Sequence, residues 1–362
     1  MIRIGIIGCG NISAAYAEGM ATSGTLELVA VADLDIARAE ARAAAWGVEA
    51  VPVEQLLARD DIDIVVNLTV PGAHAEISTA VLDAGMHVYS EKPLATSLEE
   101  GQRMLVAAGS AGRVVACAPD TVLGSAVQAA RRAIDAGDIG TPIAATAFLA
   151  HAGHEAWHPD PDHYYAPGGG PLLDMGPYYL SALGWLLGPV VRVSGAVSAV
   201  RDERRIVVGP RAGERVPVRV PTHVSATFEY ACGAIGSLTT SFDVAAHHVP
   251  HLEIHGTAGS LALPDPNGFD GDVHIWRTGQ THAAWQRVPV VHELGLVRGA
   301  GLLDLAHALR EERPPRASAE LALHVLEVME GITQSAQLAR HVTIDSRFDV
   351  PAPMPVAQRV AG

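Results

Sequence analysis

Lysine is almost absent from this chain. Of its 25 basic side chains only Lys92 is a lysine, and arginine does all the ordinary work of surface charge. Cysteine is scarce too: Cys9, Cys117 and Cys232 lie far apart, without metal-ligand spacing. This excludes a disulfide framework or a zinc ribbon and fits a reducing compartment. Although 49% of the residues are apolar, no run approaches the roughly twenty apolar residues of a membrane span. No basic run occurs, and the net charge is −15, which excludes nucleic acid and anionic membrane as partners. The first residues, Met-Ile-Arg-Ile-Gly-Ile-Ile-Gly, run straight into a strand with neither a basic leader nor a cleavage site, so the expected location is cytoplasmic. No internal repeat or low-complexity segment is present. A length of 362 residues suggests two domains with a large core.

What is present begins with Lys92 itself, in the stretch His87 to Thr96. Arginine stays protonated, whereas a lysine withdrawn from water shifts its pKa readily and can exchange protons. A lone lysine between a carboxylate (Glu91) and a rigid proline (Pro93) is therefore a candidate for proton chemistry. The alternative is a surface ion pair at a strand end.

The N-terminal third reads as alternating strands and helices. Arg3–Ile7 is a short apolar strand, followed by Gly8-Cys9-Gly10-Asn11-Ile12-Ser13 and an alanine-rich helical pattern that Gly24 ends. A strand, a glycine turn and a helix form a dinucleotide-binding opening. Gly8 permits the tight turn, Gly10 lets the backbone approach a pyrophosphate, and Asn11 and Ile12 open the helix whose positive end receives it. Ser13 replaces the third glycine of the fingerprint. The next strand, Leu26–Ala32, ends in Asp33 at about the spacing of the acid that binds the adenosine ribose. No basic residue stands directly beside Asp33, so charge favours NAD, with NADP the less favoured cofactor. Capping the helix Ile36–Trp46 is the other role open to Asp33, and one that Asp35 could also fill. Further helices are expected at Val53–Arg59, Ala73–Ala84 and Leu98–Ala108. Strands are expected at Ile62–Leu68, Val88–Ser90 and Val114–Ala118. This alternation predicts a doubly wound parallel sheet with ligands at the carboxyl ends of its strands, where Asn67–Pro71 and Tyr89–Pro93 both lie.

Taken together, the glycine turn, Asn67-x-Thr69-x-Pro71-x-x-His74 and the Glu91-Lys92-Pro93 stretch resemble the Gfo/Idh/MocA family of oxidoreductases. The resemblance covers nearly all of the first domain. It continues through Gly168-Gly169-Gly170-Pro171-Leu172-Leu173-Asp174-Met175-Gly176-Pro177-Tyr178, where many members carry a histidine at the last position. It implies that Gly8, Gly10, Asn11, Ile12, Asp33, Thr69, Pro71, His74, Glu91 and Lys92 hold the cofactor. It also implies a catalytic group of Lys92, Asp174 and Tyr178. Asp174 and Tyr178, four apart, share one face of a helix expected over Met175–Leu187. A phenol beside an ammonium can serve as general acid or base; a buried structural ring is the other possibility.

Beyond Asp120 the rhythm changes. A helix is expected at Val122–Ala136. Strand-like runs follow at Ile143–Ala150, Val190–Val200, Thr222–Tyr230, Ala234–Asp243, His251–Gly256 and Val273–Arg277, and helices at Leu302–Arg310 and Glu320–Leu338. This pattern predicts an α+β domain with a large, mostly antiparallel open sheet. The expected division is a Rossmann domain over 1–120, a substrate-binding and oligomerisation domain over 121–345, and an extended tail over 346–362. Arg201–Val220, rich in arginine, glycine and proline, predicts a hairpin excursion from the sheet. The segment His151 to Tyr165 carries four histidines among carboxylates and aromatics. Its prolines and irregular spacing argue for a loop rather than a preformed metal cage. Its aromatics and histidines favour a sugar pocket over an ordinary surface loop, with His154, Trp157, His158 and Tyr164 as substrate contacts beside Lys92, Asp174 and Tyr178. His247, His248 and His251 form a second cluster, read as pocket rim or interface rather than metal site.

The expected function is transfer of hydride between a nicotinamide cofactor and a secondary alcohol of a sugar, glycoside or cyclitol. Two alternatives share the fold: an NAD-dependent glycosidase that oxidises its sugar transiently, and a non-catalytic dinucleotide-binding regulator. An open sheet face predicts a homodimer or homotetramer.

Overall fold

A computed structural model describes residues 1–279, 284–289 and 297–355. The chain divides into two compact units, one of Met1–Leu123 together with a later stretch ending at Leu326, the other of the chain from Gly124 together with the part from Glu327 onward. Among the described residues, no helix is long and apolar enough to cross a membrane.

The first unit holds six strands, β1 (Ile2–Ile7), β2 (Leu26–Ala32), β3 (Glu49–Ala50), β4 (Ile64–Asn67), β5 (His87–Ser90) and β6 (Val115–Cys117). They lie in the order β3-β2-β1-β4-β5-β6, and all pairings are parallel. Their near-continuous apolar runs are those of strands covered on both faces: every residue of β4 is buried. Helices α1 (Ser13–Ala21), α2 (Ile36–Trp46), α3 (Val53–Leu57), α4 (His74–Asp83) and α5 (Leu98–Ala111) connect them. Local chemistry sets several ends. Asp35 caps α2 by accepting the Ala37 N–H at 3.2 Å, Ser97 caps α5, and Gly47 and Gly112 end these two helices in the left-handed conformation. The strand order reverses between β2-β1 and β1-β4, so the ligand crevice of such a sheet opens past the carboxyl ends of β1 and β4.

The second unit begins with α6 (Ser125–Asp135), then β7 (Pro142–Ala150), the short α7 (Asp162–Tyr165) and α8 (Pro171–Leu187). Strands β8 (Val190–Ser198), β9 (Glu203–Arg205), β10 (Arg215–Pro217), β11 (His223–Tyr230), β12 (Ile235–Ser241), β13 (Leu252–Gly256), β14 (Gly259–Leu263), β15 (His274–Arg277) and β16 (Gln286–Arg287) follow. After α9 (Ala300–Arg310) and α10 (Ala319–Leu338) comes the last strand, β17 (Val342–Thr343). Among the described residues, nine strands form one sheet in the order β16-β15-β14-β13-β7-β12-β11-β8-β17, antiparallel except for the β7–β12 pair. Alternate residues of β11 (Val224, Ala226, Phe228 and Tyr230) are buried, the pattern of a strand with one covered face. Helix α8, buried almost throughout from Gly176 to Leu187, packs against this sheet. The excursion Arg201–Val220 does form a small antiparallel pair, β9 with β10.

Several boundaries differ from the sequence expectation. The helix expected from Val122 is broken: a 3-10 turn covers Asp120–Leu123 and α6 starts only after Gly124. Gly124 is extended where it precedes α6, and a side chain there would meet the Phe269 carbonyl at 2.3 Å, so this junction needs glycine. Helix α8 begins at Pro171, not Met175, which puts Asp174 in its first turn. Strand β14 has no counterpart in the sequence reading. Helix α9, assigned by sequence to the second domain, belongs with the first unit: Leu302, Leu305 and Ala306 enter the core that contains Ile4, Ile6, Val66 and Tyr89. In the tail, residues 351–355 carry no regular structure and Met354 donates its N–H to Gln128 Oε1 at 2.7 Å. The rest of the tail, 356–362, lies outside the described residues.

Candidate active site

In the first unit, the residues expected to hold a dinucleotide gather at the carboxyl ends of β1, β2, β4 and β5. Gly8 has φ +103°, and a Cβ there would lie 2.5 Å from the Leu68 carbonyl carbon and oxygen. The turn after β1 and the chain leaving β4 can pass this closely only because residue 8 has no side chain. Gly10 differs: a Cβ there meets nothing within 4 Å, so its open side is free for a ligand backbone. Asn11 is exposed. Helix α1 starts after Ile12 with no side-chain cap and no acidic residue in its first turn. No side chain therefore neutralises the positive end of this helix, the requirement for a pyrophosphate.

Asp33 is not the α2 cap. Its Oδ2 accepts the Cys9 N–H at 2.7 Å and its Oδ1 the Asp35 N–H at 2.9 Å, which ties the end of β2 to the glycine turn. Arg42, which the sequence reading did not single out, donates to the Gly10 carbonyl at 3.2 Å. Burial, then Asp33, pushes the Cys9 thiol up to about 11, so it carries no thiolate chemistry at neutral pH.

The Asn67–His74 stretch folds on itself. Buried Asn67 accepts both the Thr69 N–H and hydroxyl through Oδ1, at 3.2 and 2.7 Å. Its Nδ2 donates to the His74 carbonyl and to Ser78 Oγ, each at 3.0 Å. Pro71 is exposed and opens the turn before α4. His74 is buried, with Nδ1 2.6 Å from the Pro93 carbonyl and Nε2 3.1 Å from that of Thr69. Its ring thus clamps the loop after β4 to the loop that carries Lys92.

Lys92 is half-buried and precedes a cis bond to Pro93. Glu91 anchors it: the carboxylate accepts the Lys92 N–H at 3.0 Å through Oε2 and the Tyr16 hydroxyl at 2.8 Å through Oε1. Tyr16 lies on α1, so the helix of the glycine turn and the lysine loop share one carboxylate. Sequence reasoning missed Tyr16, which looked like one more apolar helix position. Burial, then the Glu91 charge, pushes its phenol well above 10, so it remains a donor.

In the second unit, the aromatic segment and the start of α8 come together. Gly170 donates its N–H to the Tyr164 carbonyl at 2.8 Å, and a side chain at Gly169 would strike the His163 and Tyr164 carbonyls at 2.4 and 2.7 Å. The glycine run therefore allows the His151–Tyr165 segment to lie against the first turn of α8. His154 Nε2 is 3.4 Å from Asp174 Oδ2. Its ring stacks on Tyr164 with centroids 3.5 Å apart and approaches Trp157 at 5.2 Å. His158 packs edge-on to Trp157 and Tyr164. Tyr178 is buried one helical turn after Asp174.

A second buried layer fixes this segment. Arg204, on β9, donates to Glu155 Oε1 at 3.0 Å and to the Ala152 carbonyl at 3.2 Å, and it also pairs with Asp243. Tyr165 donates to Glu155 and accepts the His154 N–H at 3.2 Å. Arginine in a polar excursion gives no sequence signal for such a role. His247 and His251 lie apart from this group. His247 packs on Phe148 at 4.8 Å, and His251 Nδ1 is 3.1 Å from the Tyr179 hydroxyl. Among the described residues, no cluster of histidine, cysteine and carboxylate side chains has metal-binding geometry.

Residues 2–118 match the sequence profile described as an oxidoreductase family with an NAD-binding Rossmann fold. Residues 127–262 match the C-terminal domain profile of GFO/IDH/MocA proteins. Over 72% of its length the chain is 33% identical to 1,5-anhydro-D-fructose reductase of Ensifer adhaerens, covering 75% of that protein. It is 26% identical to inositol 2-dehydrogenase 3 of Saccharopolyspora erythraea, across 73% of this chain and 74% of the other. The crystal structure of an oxidoreductase domain protein from Kribbella flavida superposes with a TM-score of 0.81 at 26% identity, over 95% of this chain and 99% of that one.

Proposed function

Because the chain belongs to the Gfo/Idh/MocA family of NAD-binding oxidoreductases, we propose that it oxidises, or in reverse re-forms, a secondary alcohol of a sugar, glycoside or cyclitol. The single observation that carries this reading is the anchoring of the one lysine. Glu91, Tyr16 and the His74 clamp hold the Lys92 loop at the carboxyl edge of the parallel sheet, beside the glycine turn. The sugar and cyclitol chemistry is supported by the relatives named for anhydrofructose and inositol.

When bound, NAD supplies the hydride acceptor. Gly8, Gly10 and the uncapped start of α1 would receive its pyrophosphate, and Asp33 its adenosine ribose, through whatever capacity the Cys9 and Asp35 N–H groups leave on that carboxylate. Lys92 takes the hydroxyl proton as the carbon gives up its hydride, and returns it in the reverse direction. A lysine can alternate between ammonium and amine in this role, whereas arginine cannot. Asp174 anchors a neighbouring hydroxyl, and Tyr178 exchanges or relays the proton. Trp157, His158 and Tyr164 present ring faces and polar edges suited to a polyhydroxylated ring, and the buried His154 backs them. Two or four subunits are proposed, through the open face of the nine-stranded sheet.

The deciding experiment screens free sugars, glycosides and cyclitols with NAD and with NADP, following absorbance of the reduced cofactor. Lys92→Arg, assayed on the best substrate, should lose at least ~100-fold in turnover, with NADH binding unchanged by fluorescence titration. Wild-type turnover in that variant removes Lys92 from the proton step. Aglycone release without net NADH would instead identify a glycosidase cycle.

A further inference from the structure

His154 is only 5% exposed, and its two ring nitrogens are unequally served. Nδ1 is buried and has no hydrogen-bond partner among the described residues, while Nε2 lies 3.4 Å from Asp174 Oδ2. The rest of the ring is boxed by aromatics: Tyr164 stacked at 3.5 Å, Phe242 edge-on at 4.6 Å, His151 at 4.8 Å and Trp157 at 5.2 Å. Such a slot suits a phenylalanine at least as well. An imidazole there forgoes a hydrogen bond at Nδ1, and a buried polar atom left unsatisfied destabilises the fold. Packing therefore does not explain the histidine, and among the described residues its side chain's remaining polar contact is Asp174.

We infer that His154 is the positioning residue for Asp174, the partner that aims the carboxylate in the reaction proposed above. His154 reaches this aspartate from the loop after β7. Two contacts hold that loop in place. The His154 N–H is bound by the Tyr165 hydroxyl at 3.2 Å, and Glu155 by buried Arg204 at 3.0 Å. Asp174 sits in the first turn of α8, whose backbone is tied to the same loop through Gly170 and Tyr164. The ring is thus fixed against the carboxylate from both sides.

The inference rests on the dehydrogenase reading, and the test separates the two. In the full chain, His154→Phe should melt at or above the wild-type temperature, since an apolar ring removes the orphaned nitrogen, yet turn over about 10- to 100-fold more slowly, the scale of a mispositioned catalytic group. His154→Gln, whose amide nitrogen can reach the Nε2 position, should recover part of that loss. His154→Phe added to Asp174→Asn should cost little more than Asp174→Asn alone. NADH affinity should stay within about twofold throughout. Wild-type turnover in His154→Phe overturns the inference, as does a turnover loss matched by a fall in melting temperature that His154→Gln does not repair. If the wild-type chain reduces no NAD with any polyol, the dehydrogenase reading fails instead. The pairing is then decided by melting temperatures alone: it stands if His154→Phe stabilises and Asp174→Asn abolishes that difference, and falls if the two changes are additive.

Discussion

At the scale of single residues, the chain's scarcest basic side chain sits on a firmly held backbone. One Glu91 carboxylate accepts both the Lys92 N–H and the Tyr16 hydroxyl. A buried hydrogen bond to a carboxylate contributes about 1.5–3 kcal/mol. Tyr16→Phe keeps the ring that packs edge-on against Tyr89 and removes only the hydroxyl. It should therefore lower unfolding free energy by ~2 kcal/mol in urea and slow turnover. A stability change within about 0.5 kcal/mol would show that the bond contributes nothing. Lys92 could be singled out from composition alone. Tyr16 could not, because a tyrosine in an alanine-rich helix looks the same whether or not its hydroxyl meets a carboxylate 75 positions away.

At the scale of elements, two glycines of one turn serve different ends. Gly8 is required by the fold, with positive φ and the Leu68 carbonyl where a Cβ would be; Gly10 has open space instead. Gly8→Ala should destabilise the protein by ~2 kcal/mol or more and weaken NADH binding with it. Gly10→Ala should melt within about 1 °C of wild type while raising the NADH Kd at least ~10-fold, because the methyl intrudes only where the pyrophosphate backbone approaches. Equal destabilisation of the two variants, measured by thermal melting beside NADH titration, would erase this distinction. The strand–turn–helix opening and the glycine fingerprint were legible in the sequence, since period, spacing and residue type are local. Which glycine meets the chain leaving β4 and which faces open space was not. The same holds for the glycine run before α8, where Gly169 allows a contact with the aromatic segment that sequence spacing does not reveal.

At the scale of the whole molecule, two half-buried imidazoles should set the acid limit of stability. His87 Nδ1 accepts the Val114 N–H at 3.0 Å, and His151 Nδ1 accepts the Gly153 N–H at 3.1 Å. Burial is the first cause holding both below the ordinary 6.5. A folded state whose histidines resist protonation binds fewer protons than the unfolded chain, so stability rises with pH in that window. The stability these groups contribute is present above 6.5 and is lost as pH falls below it. The urea midpoint should accordingly drop between pH 7.5 and 5.5, and His87→Gln should flatten part of the slope. A midpoint independent of pH across that interval would mean that neither ring resists its proton. The unit boundaries also belong to this scale. Helix α9 follows the second sheet in sequence yet buries Leu302 and Leu305 with the first, while Asp120 accepts the Gly299 and Gly301 N–H groups at its start.

By itself, the sequence determined what depends on neighbours along the chain: the alternating strands and helices, the dinucleotide turn, the lone lysine and the aspartate four residues before a tyrosine. Only the tertiary structure decided what depends on distance in space. It shows that Asp33 ties the glycine turn while Asp35 takes the helix cap, that His74 clamps two loops, that Arg204 lies buried beneath the aromatic segment, and that His154 is the histidine beside Asp174. Apart from the local Asp35 cap, these are polar contacts made with partners distant in sequence. Local pattern shows that a residue can hydrogen-bond; packing alone selects the partner it meets.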